Sequence, residues 1–362
     1  MTDLSRRAVL TGAAAYALAG CASQASTSPS GGSAGATSSG SSAPPQVVAS
    51  GLDVPWDMAF LPDGGALVSL RNSGEVVLVR PGAEPVTVGR VPNVVANGEG
   101  GLLGLALSTT FATDGAVYAY HSAATDNRIV RLTYSGGALT GGDVIVSGIP
   151  KSAIHNGGRI RFGPDGMLYA GTGDGSTGAN AQNLSSLGGK ILRMHPDGSV
   201  PSDNPYGSLV WTYGHRNVQG LGWDATGRMY ASEFGQNAYD ELNLIRPGGN
   251  YGWPVVEGAS NDSRYVAPLH TWPVADASPS GIAVTDVGVV YVAALRGQRL
   301  WRIAIGADGT VQSAFASYQG VYGRLRAVAI GPDRRLWILT SNRFRGTPAP
   351  TDDRVVILPD QV

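Results

Sequence analysis

The sequence predicts an all-β fold, a six-bladed β-propeller of four-stranded antiparallel blades. Three observations predict it. Long helical periodicity is absent, and short runs of Val, Ile, Leu and Tyr sit between turns of Gly, Pro, Asp and Asn. The 52 glycines and 22 prolines supply those turns. One turn pattern recurs along the chain, and its copies lie about 50 to 60 residues apart, the length of one four-stranded blade.

The pattern is an aromatic or aliphatic residue, a few turn residues, and then an apolar-x-apolar strand start. Its copies are Phe60-Leu61-Pro62-Asp63-Gly64, Phe111 with Asp114-Gly115, and Phe162-Gly163-Pro164-Asp165-Gly166. Trp223 with Gly227, Val284 with Gly288, and Ile330-Gly331-Pro332-Asp333 with Arg335 as its marker complete the series. Asp-Gly between apolar runs is a strong hairpin signal, because both turn residues tolerate positive φ. A pair of sandwich domains would not keep so regular a period. The run Arg354-Val355-Val356-Ile357-Leu358 is expected to pair with Val47-Val48. That closure removes the exposed sheet edge.

The amino terminus reads as an address rather than as structure. Arg6 and Arg7 precede an apolar, alanine-rich run over residues 8–19, followed by Gly20 and Cys21. A charged start, a short apolar run and small residues make an export signal over residues 1–21. Paired arginines suggest the twin-arginine route. Leu18-Ala19-Gly20-Cys21 resembles the bacterial lipobox, so Cys21 is expected to carry lipid; a plain cleaved signal is the competing reading. Cys21 is the one cysteine in the chain, which rules out an internal disulfide. Residues 22–45 are Ser, Gly, Ala, Thr and Pro and bury little, so they are expected to be a flexible tether. The propeller is then assigned to residues 46–362. Export and a lipid anchor on the outer face of the bacterial cytoplasmic membrane follow, with no other membrane contact. The net charge of -1 and the absence of a basic stripe argue against a nucleic-acid partner.

Chemistry is sought in the loops outside the hairpin repeat. The glycines of Asn97-Gly98-Glu99-Gly100-Gly101 would let backbone approach a flat ligand, and taken alone the segment reads first as a strained blade connection. His155 lies among glycines in Ile154-His155-Asn156-Gly157-Gly158-Arg159 and is the histidine best placed to be reachable. Tyr213-Gly214-His215-Arg216-Asn217-Val218-Gln219-Gly220 gathers Arg, Asn and Gln, which suits an acidic, oxygen-rich ligand. Glu233, Asp240 and Glu241 accompany Gly235 and the later Gly249-Asn250-Tyr251-Gly252-Trp253-Pro254. Carboxylates with exposed carbonyls and no Cys or His favour a hard cation such as calcium. Arg324 and Arg326, two apart on a strand, are expected to face one side.

Those segments, in that order, resemble the soluble aldose sugar dehydrogenases that use pyrroloquinoline quinone, the glucose/sorbosone dehydrogenase family. The resemblance spans nearly all of the mature chain. It is most specific in Gly-His-Arg-Asn-x-Gln-Gly, Asp-Glu-Leu-Asn-Leu-Ile and Asn-Tyr-Gly-Trp-Pro. It implies a six-bladed propeller, the quinone and calcium as cofactors, a sugar substrate and an external electron acceptor. His155 matches the general base. Arg216, Asn217, Gln219, Arg324 and Arg326 match cofactor contacts, and Arg296 lies near a position where a lysine is common. Glu241 and the backbone of Tyr251 match a calcium site, and Gly235 and Gln236 lie where carbonyls meet the calcium beside the cofactor. Glu99 stands where the family has Gln, and a carboxylate there needs protonation or an arginine partner. Two other functions fit the same scaffold: a calcium-dependent lactone hydrolase and a non-catalytic binding propeller.

Overall fold

The computed structural model describes residues 44–362. The predicted export signal, and all but the last residues of the predicted tether, lie outside the described residues. Among the described residues, 24 strands form six four-stranded antiparallel sheets. The innermost strands are Pro55–Phe60, Leu102–Leu107, Ile160–Phe162, Val218–Trp223, Pro279–Val284 and Leu325–Ile330. Each packs beside the innermost strand of the next blade, and the last returns to the first, so the six enclose a central channel. Among the described residues no helix is long and apolar enough to cross a membrane.

The ring closes as the sequence predicts. Gln46–Ala49 is the outermost strand of the sixth blade, where Gln46 faces Ile357 and Val47 faces Val356. One sheet therefore holds both ends of the propeller.

The repeat has two physical causes. Its aspartates cap the hairpin turns: Asp63, Asp165 and Asp333 accept the backbone N–H of Gly65, Met167 and Arg335. Gly64 and Gly166 supply the left-handed turn residue, at φ 87° and 76°. In the sixth copy that residue is Arg334 at φ 57°, one position before the Arg335 chosen as the sequence marker. Its Nε donates to the carbonyl of Val362. The aromatics of the repeat pack blade on blade: Phe60 on Trp337, Phe162 on Tyr118, and Trp223 on Tyr169, edge to face at 5.1 to 5.2 Å. Such pairs contribute about 0.5–1.5 kcal/mol each beyond the area they bury.

Candidate active site

The innermost strands end at those hairpins and begin on the opposite face. At that opposite end, five of the six slip in register against their neighbours, between Pro55 and Met58, Leu102 and Leu105, Val218 and Gly220, Pro279 and Ile282, and Leu325 and Ala327. A bulge bends the strand and re-aims its side chains. Gln219, Ser280 and Arg326 sit in three of these slips and meet in space. Arg326 Nη1 donates to Gln219 Oε1 at 2.6 Å and to Ser280 Oγ at 3.3 Å. Arg324 lies just before its strand and Arg326 sits in the slip, and both side chains reach the same cavity.

A cavity of about 250 Å³ opens at this mouth. Glu99, His155, Arg216, Gln219, Arg324 and Arg326 all line it. Those six residues come from four separate stretches of the sequence. Two predicted contacts fall elsewhere. Arg296 is exposed and does not line the cavity; its neighbour Leu295 does, because successive residues leaving a strand point in opposite directions. Asn217 is fully buried behind the wall and accepts the Gly157 N–H at 2.9 Å, so it braces the histidine loop. The other histidines stand apart from the cavity. His215 is buried between Thr212 and Glu233, with its ring stacked on Tyr251.

His155 adopts φ 59°, in the left-handed region that non-glycine residues rarely occupy. Its Nδ1 lies 2.8 Å from Asp174 Oδ1. An aspartate acceptor favours the Nδ1–H tautomer and leaves Nε2 able to take a proton. Asp174 is itself fixed, accepting the indole N–H of Trp253 at 2.9 Å and the Ser176 amide at 2.8 Å. Gly173 makes room for this turn, since a Cβ there would lie 1.9 Å from the His155 carbonyl oxygen. Sequence reading of this region ended at Arg159 and did not single out Asp174. The signal was an aspartate between glycines just past a strand end.

The cavity is strongly cationic. Arg71, Arg216, Arg324, Arg326 and Arg345 stand at or beside it. Burial holds Arg216 and Arg324 below the usual arginine range and pushes Arg71 down to about 10. Arg326 is held well below that range, first by burial and then by the charges of Arg71 and Arg324. Arg71 Nη1 and the Nε atoms of Arg216, Arg324 and Arg326 are buried with no acceptor among the described residues. Buried donors without partners are costly, so this site is shaped for an acceptor-rich anion. Glu99 is the opposing charge, and it pairs with Arg345 at 2.7 Å. Arg71, Phe344 and Arg345 were not legible in the sequence, for they lie in ordinary-looking loop and strand-end segments.

Beside the cavity is a small space of about 10 Å³, lined by Arg216, Glu233, Gly235, Glu241, Tyr251 and Glu257 among others. Glu233 and Glu241 face each other across adjacent strands. Burial, and then the neighbouring Glu233 charge, raise the carboxyl of Glu241. Carboxylates and carbonyls, oxygens of the kind a hard cation takes, line part of the space, and the Arg216 guanidinium with Phe234, Trp253 and Val256 lines the rest. Among the described residues no three His, Cys, Asp or Glu side chains gather into a metal cluster, so a cation here would also need backbone carbonyls. The Gly235 carbonyl accepts Arg216 Nη1 at 2.6 Å. Gln236 is exposed and does not line this space; its N–H and those of the next three residues all donate to Glu257 Oε1. Gly235 is required by the tight turn, where a Cβ would lie 1.7 Å from the Tyr239 carbonyl oxygen.

The other end of the channel holds a cavity of about 220 Å³ with mostly apolar walls. Its one charged residue, Arg161, is bound to buried Asp57.

Comparison with known proteins agrees with this architecture. The glucose/sorbosone dehydrogenase family pattern matches residues 52–346. The PQQ-bound aldose sugar dehydrogenase of Streptomyces coelicolor is 49% identical, with a TM-score of 0.84, covering 86% of this chain and 96% of that one. The aldose sugar dehydrogenase YliI of Escherichia coli is 28% identical, covering 82% of this chain and 89% of that protein. Quinoprotein glucose dehydrogenase B of Acinetobacter calcoaceticus is 34% identical over 258 residues, 61% of this chain and 54% of that protein.

Proposed function

The chain belongs to the glucose/sorbosone dehydrogenase family, and we propose that it oxidises aldose sugars at the anomeric carbon to the lactone, with pyrroloquinoline quinone as cofactor and calcium assisting. One observation carries this reading: an aspartate-held imidazole shares a cavity with several buried guanidinium N–H groups that lack acceptors. A quinone bearing carboxylates supplies the acceptors those groups need. When bound, the quinone takes the hydride that leaves the anomeric carbon. Glu241, Glu233 and the Gly235 and Tyr251 carbonyls are the candidate ligands for calcium in the small space beside the cavity, where it would supply Lewis-acid polarisation.

The protein's own residues do the rest. Arg216, Arg324 and Arg326 hold the acidic edge, and Gln219 fixes Arg326 from behind. Trp253 lies 5.3 Å from the Arg216 guanidinium and also bonds Asp174, so one indole links the anion-binding wall to the base. His155 Nε2 removes the proton of the anomeric hydroxyl as the hydride departs. Asp174 keeps the imidazole in the required tautomer and orientation. An external acceptor would take the electrons onward. The reading includes export and a lipid tether at Cys21, on the strength of the amino-terminal residues.

The test is reconstitution of purified protein with quinone and calcium, followed by dye reduction across a panel of aldoses. Dye reduction is expected only when both are supplied. Chelator is expected to abolish it, and calcium with fresh quinone to restore it. Undiminished oxidation by demetallated, quinone-free protein would refute the reading. Asp174→Asn is expected to lower kcat by about tenfold to a hundredfold while quinone affinity stays near wild type, since the amide no longer enforces one tautomer. Steady-state kinetics beside a quinone titration separates the two effects.

A further inference from the structure

Glu99 is the one carboxylate lining a cavity built for an acidic ligand. Alone it would repel that ligand. The structure shows how it is held. Glu99 Oε2 accepts the backbone N–H of His155 at 3.1 Å, clamping that residue in its left-handed conformation. Glu99 Oε1 accepts Arg345 Nη1 at 2.7 Å, across 246 residues of sequence. Both carboxylate oxygens are thus engaged by the protein. An amide in place of the carboxylate would offer one acceptor oxygen where the two donors now meet two, and no charge to pair with Arg345. The segment that delivers Arg345 is itself pinned, because Phe344 lies between two guanidiniums, with Arg71 at 3.8 Å and Arg345 at 5.0 Å from its ring.

We propose that Arg345 is a positioning residue of this site: it neutralises Glu99 and fixes it as a clamp on the His155 backbone, so that a carboxylate can stand at the mouth of an anion-binding cavity. The inference rests on the quinone reading of that cavity. Glu99 and Arg345 then act as one neutral unit, and neither is a contact for the ligand. The arginine side chain is half exposed, which limits the pair's worth to stability. Its larger effect falls on the ligand, because loss of Arg345 leaves an unpaired charge facing the incoming carboxylates.

The experiment is an equilibrium titration of cofactor-free protein with pyrroloquinoline quinone, read by fluorescence quenching, with thermal melts to show that each variant folds. Arg345→Ala is expected to weaken binding by about tenfold, and Arg345→Lys to recover most of that loss. Glu99→Gln combined with Arg345→Ala is expected to return to within about threefold of wild type, since no lone carboxylate remains. An Arg345→Ala affinity within about twofold of wild type overturns the inference. So does a double variant as weak as the single one, because Arg345 would then hold the ligand itself. Wild-type protein that takes up no quinone overturns the functional reading and this inference together, whereas normal wild-type uptake with an unaffected single variant overturns the inference alone.

Discussion

Replacing His155 with alanine is expected to leave quinone uptake intact and to cut dye reduction by about a hundredfold or more. The reason is local. The anion-binding groups sit on Arg216, Arg324 and Arg326, whereas His155 offers the ring nitrogen that takes the proton. Its bond to Asp174 is a side-chain contact and vanishes with the ring, but its backbone bond to Glu99 survives. Asp174 also keeps Trp253 and the Ser176 amide, so the loop retains its shape. The expected signature is a collapse in kcat beside an unchanged quinone titration. Full turnover in this variant would remove His155 from the chemistry. Loss of quinone binding would mean that the imidazole holds the cofactor instead.

The second large effect has two opposite signs. Arg326→Met is expected to weaken quinone binding by about a hundredfold, since it removes a desolvated charge-assisted contact. The same change is expected to stabilise the ligand-free protein. Arg326 is 3% exposed, crowded by Arg71 and Arg324, and its Nε has no acceptor among the described residues. A buried charge without a counter-charge is destabilising, and a well-packed apolar side chain of similar volume often relieves it by about 1–4 kcal/mol. Gln219 keeps one partner after the change, because Ser280 Oγ still donates to it at 3.0 Å. A melting curve of cofactor-free protein should therefore rise by roughly 2 °C or more. Saturating quinone should then stabilise wild type more than the variant, reversing the order. A variant that melts lower without ligand would show that Arg326 is a structural residue first.

Sequence reading reached most of this site through short motifs, and it faltered where the outcome depended on register or on distant loops. Arg216 and Gln219 were recognisable because both sit in one dense segment. Asn217, from that same segment, turned away to brace the Gly157 amide. Arg296 looked like a plausible cation for the cavity, yet the chain leaves its strand with Leu295 inward and Arg296 outward. Arg324 and Arg326 were expected to share a side through strand alternation. Both do line the cavity, although Arg324 lies outside the strand and a register slip falls between Leu325 and Ala327. Arg71, Trp253 and Arg345 matter through contacts to residues far away in the chain, which no local window contains.

By itself the sequence determined the number of blades, the hairpins to within a residue and the closure of the ring by residues near 47 and 356. Those follow from local turn chemistry and period-two patterning, which act over a few residues. Only the tertiary structure decided which polar side chains face the channel, which arginines lack acceptors, and that Glu99 has a counter-charge in Arg345. Those depend on bulges and loop packing that bring together residues up to 246 positions apart, and they are fixed by long-range contacts rather than by neighbours in the chain.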